Sequence, residues 1–192
     1  YNNSGNIKNY SYECVADWIS SGINPEKSNI FIQSKVPEHL ELNMILSVIT
    51  PIPRLERCPT YKEQLQELSD KDIFTHAFLG YPVLQTSDIA LYNANFVPVG
   101  QDQLPHLEIA REVIRRFHHI FKCDILTEPE AMLTKTAKIL GLDRRKMSKS
   151  YGNYIALSDS PEKIKTKVMS MITDEARIKK SDPGHPEICN VF

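Results

Sequence analysis

The sequence predicts an α/β fold, an open sheet with helices against it that runs into the start of a helical region. Three observations predict it. Two short apolar runs, Asn29-Ile30-Phe31-Ile32-Gln33 and Phe96-Val97-Pro98-Val99, read as buried strands, since brief apolar stretches between turn signals suit a covered sheet. Longer stretches repeat their apolar residues every three or four positions, the helical period. One of these helices follows Val99 directly through Gly100-Gln101-Asp102-Gln103. A strand, a glycine turn and a helix N-terminus in succession form the edge at which open α/β sheets hold ligands.

In chain order, Tyr10, Cys14, Val15, Trp18 and Ile19 fall at helical spacing and predict a helix that stops at Ser21-Gly22, with Trp18 in the core. After the Asn29–Gln33 strand, Pro37 starts a helix with Leu40, Met44 and Ile45 on one side and Leu42 and Leu46 on another, so it is predicted to be covered on two sides or against a partner chain. Thr50-Pro51-Ile52-Pro53 breaks the pattern. The segment from Arg54 to Pro59 reads as an irregular charged connection, and Tyr61 to Leu68 as a short polar helix. Ile73, Phe74, Ala77 and Phe78 form a helical stripe, Gly80 loosens it, and Pro82 opens a new helix. On the helix after Gly100, Leu107, Ala110, Ile114, Phe117 and Phe121 repeat at three, four, three and four, Asp102 suits the N-cap and Pro105 falls in the first turn. Phe121 to Asp143 reads as connection and loop. Tyr154 to Leu157 is a short extended piece, and Ser160-Pro161 opens a helix with Ile164, Val168, Met171 and Ile172 inward.

Composition narrows the function. A formal net charge of -1 argues against a chain whose whole surface grips nucleic acid, so any RNA contact is local. The four cysteines stand far apart with no Cys-x-x-Cys pair, which fits reduced thiols and neither a zinc site nor a disulfide framework. No apolar run reaches the roughly 20 residues of a membrane span and no signal peptide opens the chain, so a cytoplasmic protein is expected. His39, His76, His106 and His185 stand alone and His118-His119 sits late on a helix; each reads as a surface or satisfied core histidine.

Two stretches carry chemistry. Tyr81, Gln85 and Asp88 fall at i, i+4 and i+7, so a phenol, an amide and a carboxylate share one helix face and can read a ligand with several donors. From Arg144 to Lys149 four cations occupy six residues, followed by Ser150-Tyr151-Gly152-Asn153. Lys146 and Lys149 can place two ammonium groups on a polyphosphate, with the hydroxyls and amides of Ser148 and Ser150 adding hydrogen bonds.

Lys146-Met147-Ser148-Lys149-Ser150 resembles the second signature of class I aminoacyl-tRNA synthetases, and its continuation Tyr151-Gly152-Asn153 resembles the form used in the tryptophanyl branch, bacterial type. Three more stretches resemble that branch in its order: Phe31-Ile32-Gln33-Ser34 to Pro37, Gly80-Tyr81-Pro82-Val83-Leu84-Gln85 through Asp88-Ile89, and Val97-Pro98-Val99-Gly100-Gln101-Asp102-Gln103 through His106-Leu107-Glu108. The resemblance implies an incomplete Rossmann-like nucleotide-binding domain of the HUP type with parallel strands over 1–157. Within it, 36–70 forms a helical excursion at a homodimer interface and 144–153 the lysine loop, and 158–192 starts a C-terminal helical domain. It implies activation of L-tryptophan with ATP and Mg²⁺ and transfer to tRNA(Trp), a step of protein biosynthesis, with no protein metal site. By the same resemblance Asp88 accepts the indole N–H, Tyr81 and Gln103 hold the amino and carboxylate ends, and Gln85, Val97 and Val99 wall the ring. Gly100 and Asp102 face the adenosine. Lys146, Met147, Ser148 and Lys149 bind the phosphates, with Lys146, Lys149 and Ser150 acting in the chemical step.

Two departures qualify this. Gln101 stands where many relatives carry glutamate, and no His-x-Gly-His signature occurs, so the chain is expected to be the middle of a synthetase and inactive by itself. Three other readings stay open: a tyrosyl-tRNA synthetase, which shares the loop and a similar helix; an adenylate-forming nucleotidyltransferase that never meets RNA; and a non-catalytic binding or dimerisation module. The Val-Pro-Val-Gly-Gln-Asp-Gln turn favours tryptophan over tyrosine.

Overall fold

A computed structural model describes residues 4–67, 75–133, 139–145, 147–148, 151–175, 178–179 and 181–183. In chain order its elements are α1 (Ile7–Ser20), α2 (Glu38–Ile49), α3 (Ile52–Glu56), α4 (Pro59–Glu67), α5 (His76–Ala90), β1 (Phe96–Val99), α6 (Leu104–Phe121), β2 (Glu130–Leu133) and α7 (Pro161–Met169), with 3-10 turns at Ser4–Asn6, Gln33–Lys35 and Gln101–Gln103. Two compact units form, one of Phe31–Ala137 and one of Tyr1–Ile30 with Lys138–Phe192.

The Phe31–Ala137 unit is a crossover. β1 and β2 pair in parallel, Phe96 opposite Glu130 through Val99 opposite Leu133, and α6 lies between them in sequence, as parallel strands require. α5 packs against both α2 and α6. Their shared core holds Leu46 and Ile49 of α2, Leu55 of α3, Cys58, Val83 of α5, and Ile109, Val113 and Phe117 of α6. The helical spacing on α6 explains its part: Leu107, Ala110, Ile114 and Phe117 are all buried, each large side chain contributing about 1.5–3 kcal/mol. Phe121, at the helix end, is 51% exposed, and the helix stops at Lys122 in the left-handed region, φ 50°.

Several sequence expectations are corrected here. Residues 29–32 form no strand, since they pair with neither β1 nor β2, and Phe31 and Ile32 are 48% and 58% exposed. β2 replaces an expected loop. The segment after Pro53 is helical, as α3, and Arg54 donates from Nε and Nη2 to the two carboxylate oxygens of Glu112 of α6. α5 runs unbroken through Gly80 and Pro82. Pro82 is buried and interior, where a proline normally costs about 3 kcal/mol, so packing against α2 and α6 outweighs the lost bond. Thr75 caps this helix through Phe78 N, while Ile73 and Phe74 lie outside the described residues. Asp102 is not the N-cap of α6: it sits in the 3-10 turn, and Gln103 occupies the cap without a side-chain bond.

In the other unit, α1 has no buried residue and Trp18 is 46% exposed, which overturns its placement in a core. α7 is capped by Ser160 through Lys163 N, but Val168 and Ile172 of its expected inner face are 37% and 43% exposed. Among the described residues no helix is long and apolar enough to cross a membrane.

Candidate functional site

In the Phe31–Ala137 unit the candidate site is built on α5. One helix face carries Tyr81, Gln85 and Asp88, and the next element pair, β1 and the turn after it, carries Val97, Val99, Gly100, Asp102 and Gln103. Tyr81 links the two. Its ring meets the His106 ring edge-on at 5.1 Å, and burial raises its phenol pKa, with the carboxylates of Asp102 and Asp88 pushing the same way. Both acids therefore act on one phenol.

The Gln103 amide is fixed at both ends. Its Oε1 lies 3.0 Å from His106 Nδ1 and its Nε2 donates to Asp102 Oδ2 at 3.1 Å. Because an amide oxygen only accepts, His106 carries its hydrogen on Nδ1. Burial lowers the His106 pKa against the opposing pull of Asp102, so the ring stays neutral near neutral pH. Thr60 Oγ1 ties the Asp102 backbone carbonyl to α4 at 3.3 Å. Gly100 gives the turn its closeness: a Cβ there would come within 2.6 Å of Asp102 Oδ1.

At the other end of the α5 face, Asp88 accepts from Gln33 Nε2 and from His39 Nδ1, both at 2.7 Å and both on Oδ1. Gln85 Oε1 is buried without a hydrogen-bond partner among the described residues, a state that costs about 1–3 kcal/mol unless a ligand or water donates to it. Val97 and Val99 occupy the half-buried face of β1, Phe96 and Pro98 the exposed one. The sequence-derived candidates of this unit thus lie on one helix, on the strand that follows it in sequence and on the turn after that strand.

Sequence reasoning missed His39, Tyr92, His106 and the role of Gln33. Gln33, His39 and Tyr92 act on residues that spacing cannot show them to touch: His39 and Asp88 are 49 positions apart. His106 could have been found, because it stands three residues after Gln103 on one helix face.

In the second unit the described residues of the basic loop are bonded to the segment before it. Gly141 N donates to Arg145 O at 2.7 Å and Met147 N to Ile139 O at 2.9 Å. Asn153, 4% exposed, latches it: its Nδ2 donates to Asp143 Oδ1 at 2.7 Å and its Oδ1 accepts from Ser148 N at 2.8 Å. Gly141 leaves the room, since a Cβ there would overlap the Asn153 amide. Arg145 bridges Asp143 at 2.6 Å and lies over the Tyr151 ring at 4.6 Å. The Asn153 bond first, and Arg145 after it, lower the Asp143 pKa. Met147 and Ser148 are partly buried, and Lys146, Lys149 and Ser150 lie outside the described residues.

No three acidic, histidine or cysteine side chains among the described residues converge on a metal.

The family model described as "tRNA synthetases class I (W and Y)" matches residues 3–192. A tryptophan–tRNA ligase of Thermotoga maritima is 48% identical over 192 residues, covering 100% of this chain and 58% of that protein. One from Aquifex aeolicus is 38% identical over 261 residues, covering 100% of this chain and 66% of the relative. The crystal structure of a Campylobacter jejuni tryptophanyl-tRNA synthetase complexed with ADP and tryptophan matches with a TM-score of 0.84 at 36% identity, over 100% of this chain and 58% of that one. The chain therefore spans about 58% of the length of the Thermotoga relative, and its fold is the incomplete Rossmann-like α/β fold of these enzymes. It belongs to the class I tRNA synthetases of the tryptophan and tyrosine group.

Proposed function

We propose that the protein is a tryptophan–tRNA ligase, which joins L-tryptophan to ATP as the adenylate and passes it to tRNA(Trp). The observation that carries this is the α5 face: Tyr81, Gln85 and Asp88 in line, with Gln103 anchored beside the Tyr81–His106 pair. The relatives' names support the tryptophan reading.

In this reading Asp88 accepts the indole N–H, and a side chain without that donor leaves Oδ2 to water on a side chain 36% exposed, a loss of roughly ten- to a hundredfold in affinity. Tyr81 and Gln103 hold the amino and carboxylate ends, Gln85, Val97 and Val99 wall the ring, and Gly100 and Asp102 face the adenosine. The amino-acid carboxylate attacks the α-phosphate in line and pyrophosphate leaves. No general base is needed, because the nucleophile is already a carboxylate. Lys146 and Lys149, with Met147, Ser148 and Ser150, meet the phosphates as charge moves onto the leaving oxygens, a contact worth about 2–4 kcal/mol in the transition state. Mg²⁺ would arrive with the triphosphate and would neutralise part of its charge. Residues 1–157 form the catalytic part and 158–192 the start of the helical domain. The protein acts in the cytoplasm as a homodimer joined through 36–70.

The test is amino-acid-dependent exchange of pyrophosphate into ATP by the full-length protein. Tryptophan is expected to support it and tyrosine not; support by tyrosine alone rejects the reading in favour of the tyrosyl enzyme.

A further inference from the structure

Both hydrogen bonds that Asp88 accepts fall on the same oxygen, Oδ1, one from Gln33 and one from His39. His39 is itself fixed. Its Nε2 lies 2.9 Å from the Tyr92 hydroxyl, its ring stacks on Phe31 with centroids 5.7 Å apart, and its side chain is 2% exposed. A carboxylate only accepts, so Nδ1 of His39 carries the hydrogen and Nε2 takes the one from Tyr92. The imidazole cannot turn over without breaking both bonds. Asp88 in turn cannot rotate its carboxylate without losing two donors, while Oδ2 is left for a ligand on a side chain 36% exposed.

We propose that His39 and Gln33 are positioning residues for amino-acid selection: by occupying Oδ1 they hold the Asp88 carboxylate in the one orientation that presents Oδ2 to an indole N–H. This rests on the tryptophan reading above. A histidine that merely filled the core would support any ligand of the right shape equally. A positioning histidine supports only the ligand that donates to Asp88.

The test compares tryptophan with 3-(1-benzothiophen-3-yl)alanine, whose sulfur replaces the N–H at nearly the same shape, in pyrophosphate exchange by the full-length protein. H39N places an amide nitrogen near the Nδ1 position and keeps a donor to Asp88. H39Q places its amide near Nε2 and leaves Asp88 one donor short. H39Q is expected to raise the KM for tryptophan about ten- to a hundredfold, the worth of a hydrogen bond to a charged group, with kcat, the KM for ATP and the KM for the sulfur analogue within about twofold. H39N is expected to return the KM for tryptophan to within about threefold of the parent. Q33L, at an exposed position, should repeat the H39Q pattern more weakly and carries the test if H39Q does not fold. Equal losses for both amino acids, or none for either, overturn the inference while leaving the tryptophan reading intact. A parent protein that does not use tryptophan overturns both.

Discussion

Asp88 and His106 are the two residues whose chemistry is most open to measurement. D88N keeps the shape but replaces an acceptor by an amide facing two donors, Gln33 and His39. Truncating one side of a buried charged hydrogen bond costs about 2–5 kcal/mol, and the 36% exposure of Asp88 argues for the lower end, so the KM for tryptophan should rise about thirtyfold. Exchange kinetics measure it, and a rise below a few-fold would remove Asp88 from the indole. His106 sets a pH dependence. Its folded pKa is lowered by burial, so below the unfolded value near about 6.5 the unfolded chain binds the proton first. Stability from this group is therefore whole above that pH, falls as the pH drops, and levels off below the folded value. Glu112, whose pKa the Arg54 hydrogen bond lowers, has the ordinary acid behaviour and loses its contribution only below about pH 4, clear of this window. The melting temperature should thus fall between pH 7 and 5.5 in the parent and fall less in H106N, which retains a donor for Gln103; identical slopes would show that the buried ring is not the sensor.

Among the elements, the described part of the basic loop is tied most directly by the Asn153 side chain. Asn153 supplies two of the bonds that close it, each worth about 1 kcal/mol, so N153A should loosen the turn without touching α5. Its kcat is expected to fall about tenfold with the KM for tryptophan nearly unchanged, and the Ser148 amide should lose hydrogen-exchange protection. A KM effect as large as the kcat effect would mean that the loop does not act on the phosphates. The latch was legible in the sequence only as a Gly-Asn turn. What could be read there follows from how local the cause is. The core face of α6 was legible, because apolar residues at helical spacing need no knowledge of what they pack against and four of the five are buried, whereas the Asp102 cap and the covering of Phe121 were misread. The α5 face was legible for the same reason, though Pro82 misplaced the helix start: a proline fits the first turn by local rules, and here tertiary packing holds it mid-helix. Residues 29–32 misled because a strand exists only with a paired neighbour, and β2 was missed because Glu130-Ala131-Met132-Leu133 has neither β-branched residues nor alternation to mark it. His39 was invisible as a partner of Asp88, since nothing in either residue's neighbourhood records a contact across 49 positions.

At the scale of the whole molecule the question is what covers the outer side of α2. Leu46 and Ile49 of this helix are buried, yet Leu40, Met44, Ile45 and Val48, with Ile52 of α3, stand 57%, 66%, 46%, 76% and 59% exposed. The sequence predicts this helix to be covered on two sides or against a partner chain; within the Phe31–Ala137 unit only one side is covered, and the proposed homodimer places the other residues at its interface. Two-fold symmetry would bring ten such side chains together. Being half-exposed already, each gains only part of the 1.5–3 kcal/mol of full burial, about 1 kcal/mol, or roughly 10 kcal/mol in all. Association itself costs about 4–15 kcal/mol, so the apolar face nearly balances that cost and polar contacts around it must decide the outcome. A balance this close is tipped by one buried charge. V48E, at the most exposed of these positions, puts two like carboxylates into the interface, where each unpaired charge costs several kcal/mol. Analytical ultracentrifugation of full-length V48E should show a monomer at concentrations where the parent is a dimer, with the melting curve of the monomeric unit little changed. A V48E protein that remains dimeric would place the interface elsewhere and leave the exposed side of α2 for another partner.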